Sequence, residues 1–106
     1  MYRPALFAAA SLVAVAFSGS ANAASFNCFA AKTHTEAVIC DNPRLSQLDT
    51  QMAVSYYSLL NSTRGFQRRR VQAQQIRWLG QRNTCNASIS CLFNVYNYRI
   101  GQLSGY

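Results

Sequence analysis

Acidic residues are nearly absent from this chain. Only three of its 106 residues are Asp or Glu, against ten Lys and Arg. Glu36, Asp41 and Asp49 all fall early, and no acid follows Thr50, although Arg64, Arg68, Arg69, Arg70, Arg77, Arg82 and Arg99 do. So few carboxylates leave no paired-carboxylate motif for acid–base chemistry. Histidine is represented by His34 alone and no nucleophile elbow is present, which argues against hydrolytic catalysis. No two cysteines have C-x-x-C spacing. With one histidine in the chain, this speaks against a tetrahedral Cys/His zinc site and against thiol–disulfide exchange catalysis. Strand-like alternation, internal repeats and low-complexity linkers are missing too, so a β fold, a solenoid and a multi-domain layout are not indicated. The expectation is a protein that is not an enzyme and uses no cofactor or metal.

Long hydrophobic runs are also missing, with one instructive exception. Ala5 to Phe17 is apolar apart from Ser11, shorter than the ~20 residues that span a bilayer. Arg3 precedes it, and Ser18-Gly19-Ser20 and the small-residue site Ala21-Asn22-Ala23 follow it. This is the layout of a secretory signal peptide over residues 1–23. A buried N-terminal helix is the alternative. Cys28 does not suit lipidation, because Phe26 stands where a lipobox needs a smaller residue. Removal of the leader leaves residues 24–106, one small domain with a net charge of about +6 once Arg3 is gone. No transmembrane segment is expected in that mature chain, and its location is expected to be periplasmic or secreted.

Four cysteines remain: Cys28, Cys40, Cys85 and Cys91. An even count in a small exported domain reads as a disulfide framework, and such a core is marginal without one. Four cysteines allow three connectivities. The local one, Cys28–Cys40 with Cys85–Cys91, is favoured because each loop is short and brackets a turn. The other two would tie the ends of the domain together.

Helical signals fill the rest. Thr33-x-x-Glu36 reads as a capping box before a short helix that ends near Cys40. Asp41-Asn42-Pro43 is a break, and Pro43 suits the first turn of a second helix running to about Asn61. That helix carries the stripe Leu45, Leu48, Met52, Tyr56, Leu59. A third helix is expected over 67–82, poor in apolar residues. A fourth is expected over 89–103, with Ile89, Leu92, Tyr96, Ile100 and Leu103 on one face. The fold class is therefore all-α, a small antiparallel domain of about four helices stapled by two disulfides.

The order of residues is also recognisable. One half reads Thr33-x-x-Glu36-x-x-Ile39-Cys40, then Pro43-x-Leu45-x-x-Leu48-Asp49, then Tyr56. The other reads Gln75-x-x-Trp78-Leu79-x-x-Arg82-Asn83-x-Cys85, then Cys91-Leu92, then Tyr96-x-x-Arg99-Ile100-x-x-Leu103. Jointly, over residues 26–103, this resembles the lysozyme-inhibitor LprI-like family of small bacterial envelope domains. The resemblance implies a helical, disulfide-linked binding protein whose partner is lysozyme or another wall-acting protein. A strongly positive chain is repelled at long range by basic lysozymes, although a single arginine can enter a carboxylate-lined cleft.

Individual residues divide into scaffold and surface. Trp78, Tyr56 and Tyr96 read as core, with ligand stacking as the alternative for Trp78. Arg82 and Arg99 lie on or beside buried stripes, and a buried arginine requires a carboxylate. Glu36 and Asp49 are the expected partners, in unspecified pairing. Arg68, Arg69 and Arg70 open the third helix, where positive charge opposes the helix dipole. They are the candidates for docking on anionic envelope phosphates, with a plain solvated face as the alternative. Nucleic acid would fit such a patch but is not an expected partner after export.

Overall fold

The computed structural model describes residues 24–106; the leader read over residues 1–23 lies outside them. After a single 3-10 turn at Cys28–Ala30, four α-helices follow: α1 (His34–Asp41), α2 (Pro43–Asn61), α3 (Gly65–Asn83) and α4 (Ile89–Ser104). Among the described residues there is no strand, and no helix is long and apolar enough to cross a membrane.

Local chemistry places the boundaries. The Thr33 hydroxyl accepts from the Glu36 amide at 3.0 Å and starts α1. Glu36 does not complete the reciprocal bond of a capping box. Its Oε1 accepts instead from the Lys32 amide at 2.8 Å, one residue earlier. Asn42 serves two helices: its amide donates to the Ile39 carbonyl at the end of α1, and its side chain accepts from the Leu45 amide at the start of α2. Pro43 then occupies the first turn, where no amide hydrogen is needed. The Ser46 hydroxyl donates back to the Ile39 carbonyl and joins α1 to α2. At the C-terminal end of α2, the hydroxyls of Ser62 and Thr63 donate to the carbonyls of Leu59 and Leu60. Gly65, at φ +55°, turns the chain straight into α3, which begins two residues earlier than its apolar pattern suggests. Ser88 caps α4 through the Cys91 amide.

α4 is the central element. It packs along α2 and, less extensively, on α3. The core is Ile39, Leu45, Met52, Tyr56, Leu60, Val71, Trp78, Leu92, Tyr96 and Leu103, with Trp78 meeting Tyr96 edge-on at 5.2 Å between ring centroids. The buried stripe of α2 runs Leu45, Asp49, Met52, Tyr56, Leu60; Leu48 and Leu59 flank it and are only partly buried. Both disulfides have the local connectivity, with Cα–Cα distances of 5.8 Å for Cys28–Cys40 and 5.6 Å for Cys85–Cys91. The first pins the leading segment to α1; the second closes the turn between α3 and α4. In the chain-entropy model they contribute about 3 and about 2 kcal/mol.

Candidate functional site

Asp49 faces the core from the middle of α2 and is fully buried. One carboxylate oxygen accepts from the amide and the hydroxyl of Ser25, at 2.6 and 2.5 Å. The other accepts from the Tyr96 hydroxyl at 2.7 Å and lies 3.9 Å from Arg82 Nη1. Burial and the adjacent carboxylate push the Tyr96 hydroxyl well above the ordinary tyrosine range. Arg82, itself 2 % exposed, reaches Glu36 Oε2 at 3.4 Å and donates through Nε and Nη2 to Asn83 Oδ1. The Phe26 ring stands 5.7 Å from the guanidinium carbon. Thr35 donates to the Asn83 carbonyl, which holds the end of α3 against the start of α1 and so brings Arg82 to Glu36.

The expectation of one carboxylate for each of two arginines needs correction. Arg82 takes both Glu36 and Asp49. Arg99 takes neither. It is also 2 % exposed, but its Nε and Nη2 donate to Gln75 Oε1 at 3.0 and 2.9 Å, and Nη1 to Gln102 Oε1 at 3.3 Å. Arg99 lies near the far end of α4, close to Tyr56 and Tyr106, while Asp49 and Glu36 sit at the α1 end of the core. Burial lowers the Arg99 pKa from its ordinary value.

The arginine run also divides. Arg68 is part-buried and its Nη1 donates to the Leu60 carbonyl at 2.8 Å, so it caps the end of α2. This explains a positive charge in the first turn of α3 that the helix dipole alone would disfavour. Arg69 and Arg70 are exposed, and Arg69 lies 5.9 Å from the Phe66 ring centroid. Val71, Gln75, Trp78 and Arg82 form the buried face of α3. Its outer side carries Phe66, Arg69, Arg70, Ile76 and Arg77, all exposed, with Phe66 and Ile76 each 70 % accessible. No acid lies anywhere on this helix. Of the three acids, only Asp41 is exposed.

Ser25, Gln75, Arg77 and Asn83 complete these arrangements without having been singled out for such roles from the sequence. For Gln75 a signal existed, since it falls on the stripe of Val71, Trp78 and Arg82. Ser25 and Asn83 carry none, because each acts through a contact distant along the chain or through a neighbour's rotamer. Trp78 is a core residue whose indole N–H donates to the Val95 carbonyl at 3.1 Å. A groove of about 350 Å³ lies between α2 and α3, with Phe26, Tyr57, Ile76 and Leu79 on its walls and Asp49 and Arg82 below. Among the described residues no group of three His, Cys, Asp or Glu side chains is placed to hold a metal ion. Comparisons with family models, with curated proteins and with solved structures find no match.

Proposed function

We propose that this chain is an exported bacterial envelope binding protein of the LprI-like kind, which presents the outer side of α3 to the carboxylate-lined cleft of a lysozyme or another wall-cleaving enzyme. The reading begins with the residue order that resembles that family. Its positions Ile39, Leu45, Asp49, Tyr56, Trp78, Arg82, Leu92, Tyr96, Arg99 and Leu103 are all buried, as a shared scaffold requires. The observation that carries the functional part is the distribution of charge. Glu36 and Asp49 are drawn into contact with Arg82, while Arg69, Arg70 and Arg77 stand exposed on one acid-free helix, Arg69 against Phe66. Such a surface suits an anionic partner, and guanidinium groups flanked by an aromatic ring are well fitted to carboxylates. The localisation that goes with this reading is the periplasm or the exterior.

A lytic assay with the purified mature chain tests the proposal. Inhibition of at least one lysozyme type at micromolar concentration is expected, and the combined Arg69→Gln, Arg70→Gln, Arg77→Gln variant should lose it while keeping its melting temperature. No inhibition across several lysozyme types, or full inhibition by the triple variant, refutes it.

A second reading has an observation of its own. Arg69 and Arg70 are free to dock on phosphates of lipid or wall polymers, making the chain an anion-binding envelope module; Arg68 contributes less, being held by the Leu60 carbonyl. Binding to anionic vesicles that falls steeply with salt, without enzyme inhibition, would favour this reading over the first.

A further inference from the structure

Arg99 is buried without an opposite charge. The sequence offers no carboxylate side chain to relieve it: Glu36 and Asp49 face Arg82, and Asp41 is exposed at the end of α1. A guanidinium has five N–H donors. Three are met by the neutral side-chain carbonyls of Gln75 and Gln102, and the rest have no acceptor among the described residues. Buried cations in proteins are ordinarily paired, so a counter-charge is missing.

The space for it is present. Arg99 lines a pocket of about 260 Å³ between α3 and α4, together with Gln74, Arg77, Tyr98, Gln102 and Tyr106. Its wall is mainly amide, hydroxyl and guanidinium. Gln102 donates to the Tyr98 hydroxyl at 3.4 Å, and the Tyr106 hydroxyl donates to Gln74 Oε1, closing one side. Arg77 supplies a second positive charge at the exposed rim. We propose that this pocket binds a phosphate group, as the free ion or as a small ester, with Arg99 as the buried anchor and Arg77 as the outer cation. Two guanidinium groups and no acid match a dianion, whereas a single carboxylate would leave one charge uncompensated. Guanidinium forks suit tetrahedral oxyanions, and the volume admits the group with a small substituent. The site is separate from Arg68, Arg69 and Arg70 and shares only Arg77 with the outer side of α3.

The test is a titration of the mature chain with inorganic phosphate at constant ionic strength, following the Nε–H resonance of Arg99 by NMR and the fluorescence of Trp78, which also lines the pocket. A saturable shift of both signals is expected. Loss of one charge-assisted contact in Arg77→Gln should weaken binding by about tenfold, and Arg99→Met should abolish it. Arg77 is exposed, so its variant decides the matter if Arg99→Met does not fold. Exchanging Arg69 and Arg70 for Gln should leave the midpoint unchanged. Glycerol 1-phosphate distinguishes the sources: a midpoint several-fold lower than that of phosphate assigns the site to phosphate esters of lipid or wall polymer, and an equal midpoint assigns it to the free ion. A linear response, an equal response to acetate or chloride, or an Arg77→Gln midpoint like that of the parent chain overturns the proposal.

Discussion

Replacing Asp49 by Ala removes the acceptor of three hydrogen bonds and one of the two carboxylates facing Arg82. The Tyr96 hydroxyl, fully buried, would lose its partner, which costs about 1–3 kcal/mol. Breaking a buried ion pair from one side typically costs about 3–5 kcal/mol. The value for Arg82 should fall toward the lower end, since Glu36 at 3.4 Å and Asn83 remain. The two losses share one carboxylate and do not simply add, so a total of about 4 kcal/mol is expected. The 83 described residues, 24–106, correspond to about 4–12 kcal/mol of stability in all. Asp49→Ala should therefore melt at least about 15 °C lower than the parent chain. It should show a proportionate fall in urea midpoint with an unchanged m-value. Urea unfolding of the oxidised protein followed by circular dichroism is the assay. Asp49→Asn, which keeps one acceptor oxygen for either Tyr96 or Ser25 and turns the other into a donor, should lose about half as much. In a double-mutant cycle, Tyr96→Phe should cost much less in the Asp49→Ala background than in the parent. A loss below about 1 kcal/mol for Asp49→Ala, or strict additivity with Tyr96→Phe, would refute the network as drawn.

Two further outcomes follow from side-chain placement. Arg68→Ala should destabilise the fold by about 1 kcal/mol in thermal melts, the scale of a net hydrogen bond to a helix-end carbonyl, and Arg69→Ala should change it by less than about 0.5 kcal/mol; equal effects would remove the capping role. Stability should fall at alkaline pH. The Tyr96 hydroxyl is held above its ordinary value in the fold, so above about pH 10 the unfolded chain releases a proton that the folded chain keeps, and the unfolded state is favoured by up to ~1.4 kcal/mol per pH unit for this group. Tyr56 is shifted the same way and adds to the trend. Urea unfolding between pH 9 and 11.5 should show this loss in the parent chain and a shallower one in Tyr96→Phe.

The helices were legible because their ends are written in local chemistry. Thr33 and Asn42 with Pro43 each act within four residues of themselves, so spacing alone reveals them; the Ser88 cap is as local but stood within an expected turn. The disulfide pairing followed from the even cysteine count and the shortness of each loop. The polar interior was harder to read, for two reasons. Asp49 sits where the stripe of α2 should be apolar, and its stabilising donors come from residue 25 and residue 96, far apart in sequence. Counting charges also misled: two buried arginines and two suitable acids suggested two pairs. Hydrogen-bond capacity, not formal charge, determines how these groups are shared. Glu36 and Asp49 converge on Arg82 because the Thr35–Asn83 bond joins α1 to the end of α3, and neither lies near the other end of α4. Arg99 is then left to the amides of Gln75 and Gln102, a type of partner that charge counting does not consider.

That sharing has a consequence for the exterior. The sequence carries seven arginines after Asp49. The core takes Arg82 and Arg99, and the end of α2 takes Arg68. Arg64, Arg69, Arg70 and Arg77 remain exposed on or beside α3. Because Asp49 is buried and Glu36 is partly buried against Arg82, little on the surface is left to neutralise them. The folded exterior is therefore more one-sided in sign than the composition, and the excess is concentrated on one helix. Charge reversal at this helix should accordingly alter association far more than stability, whereas neutral substitutions within the Asp49–Arg82 network should do the opposite. A surface variant such as Arg70→Glu that unfolded the domain would contradict this division between scaffold and contact.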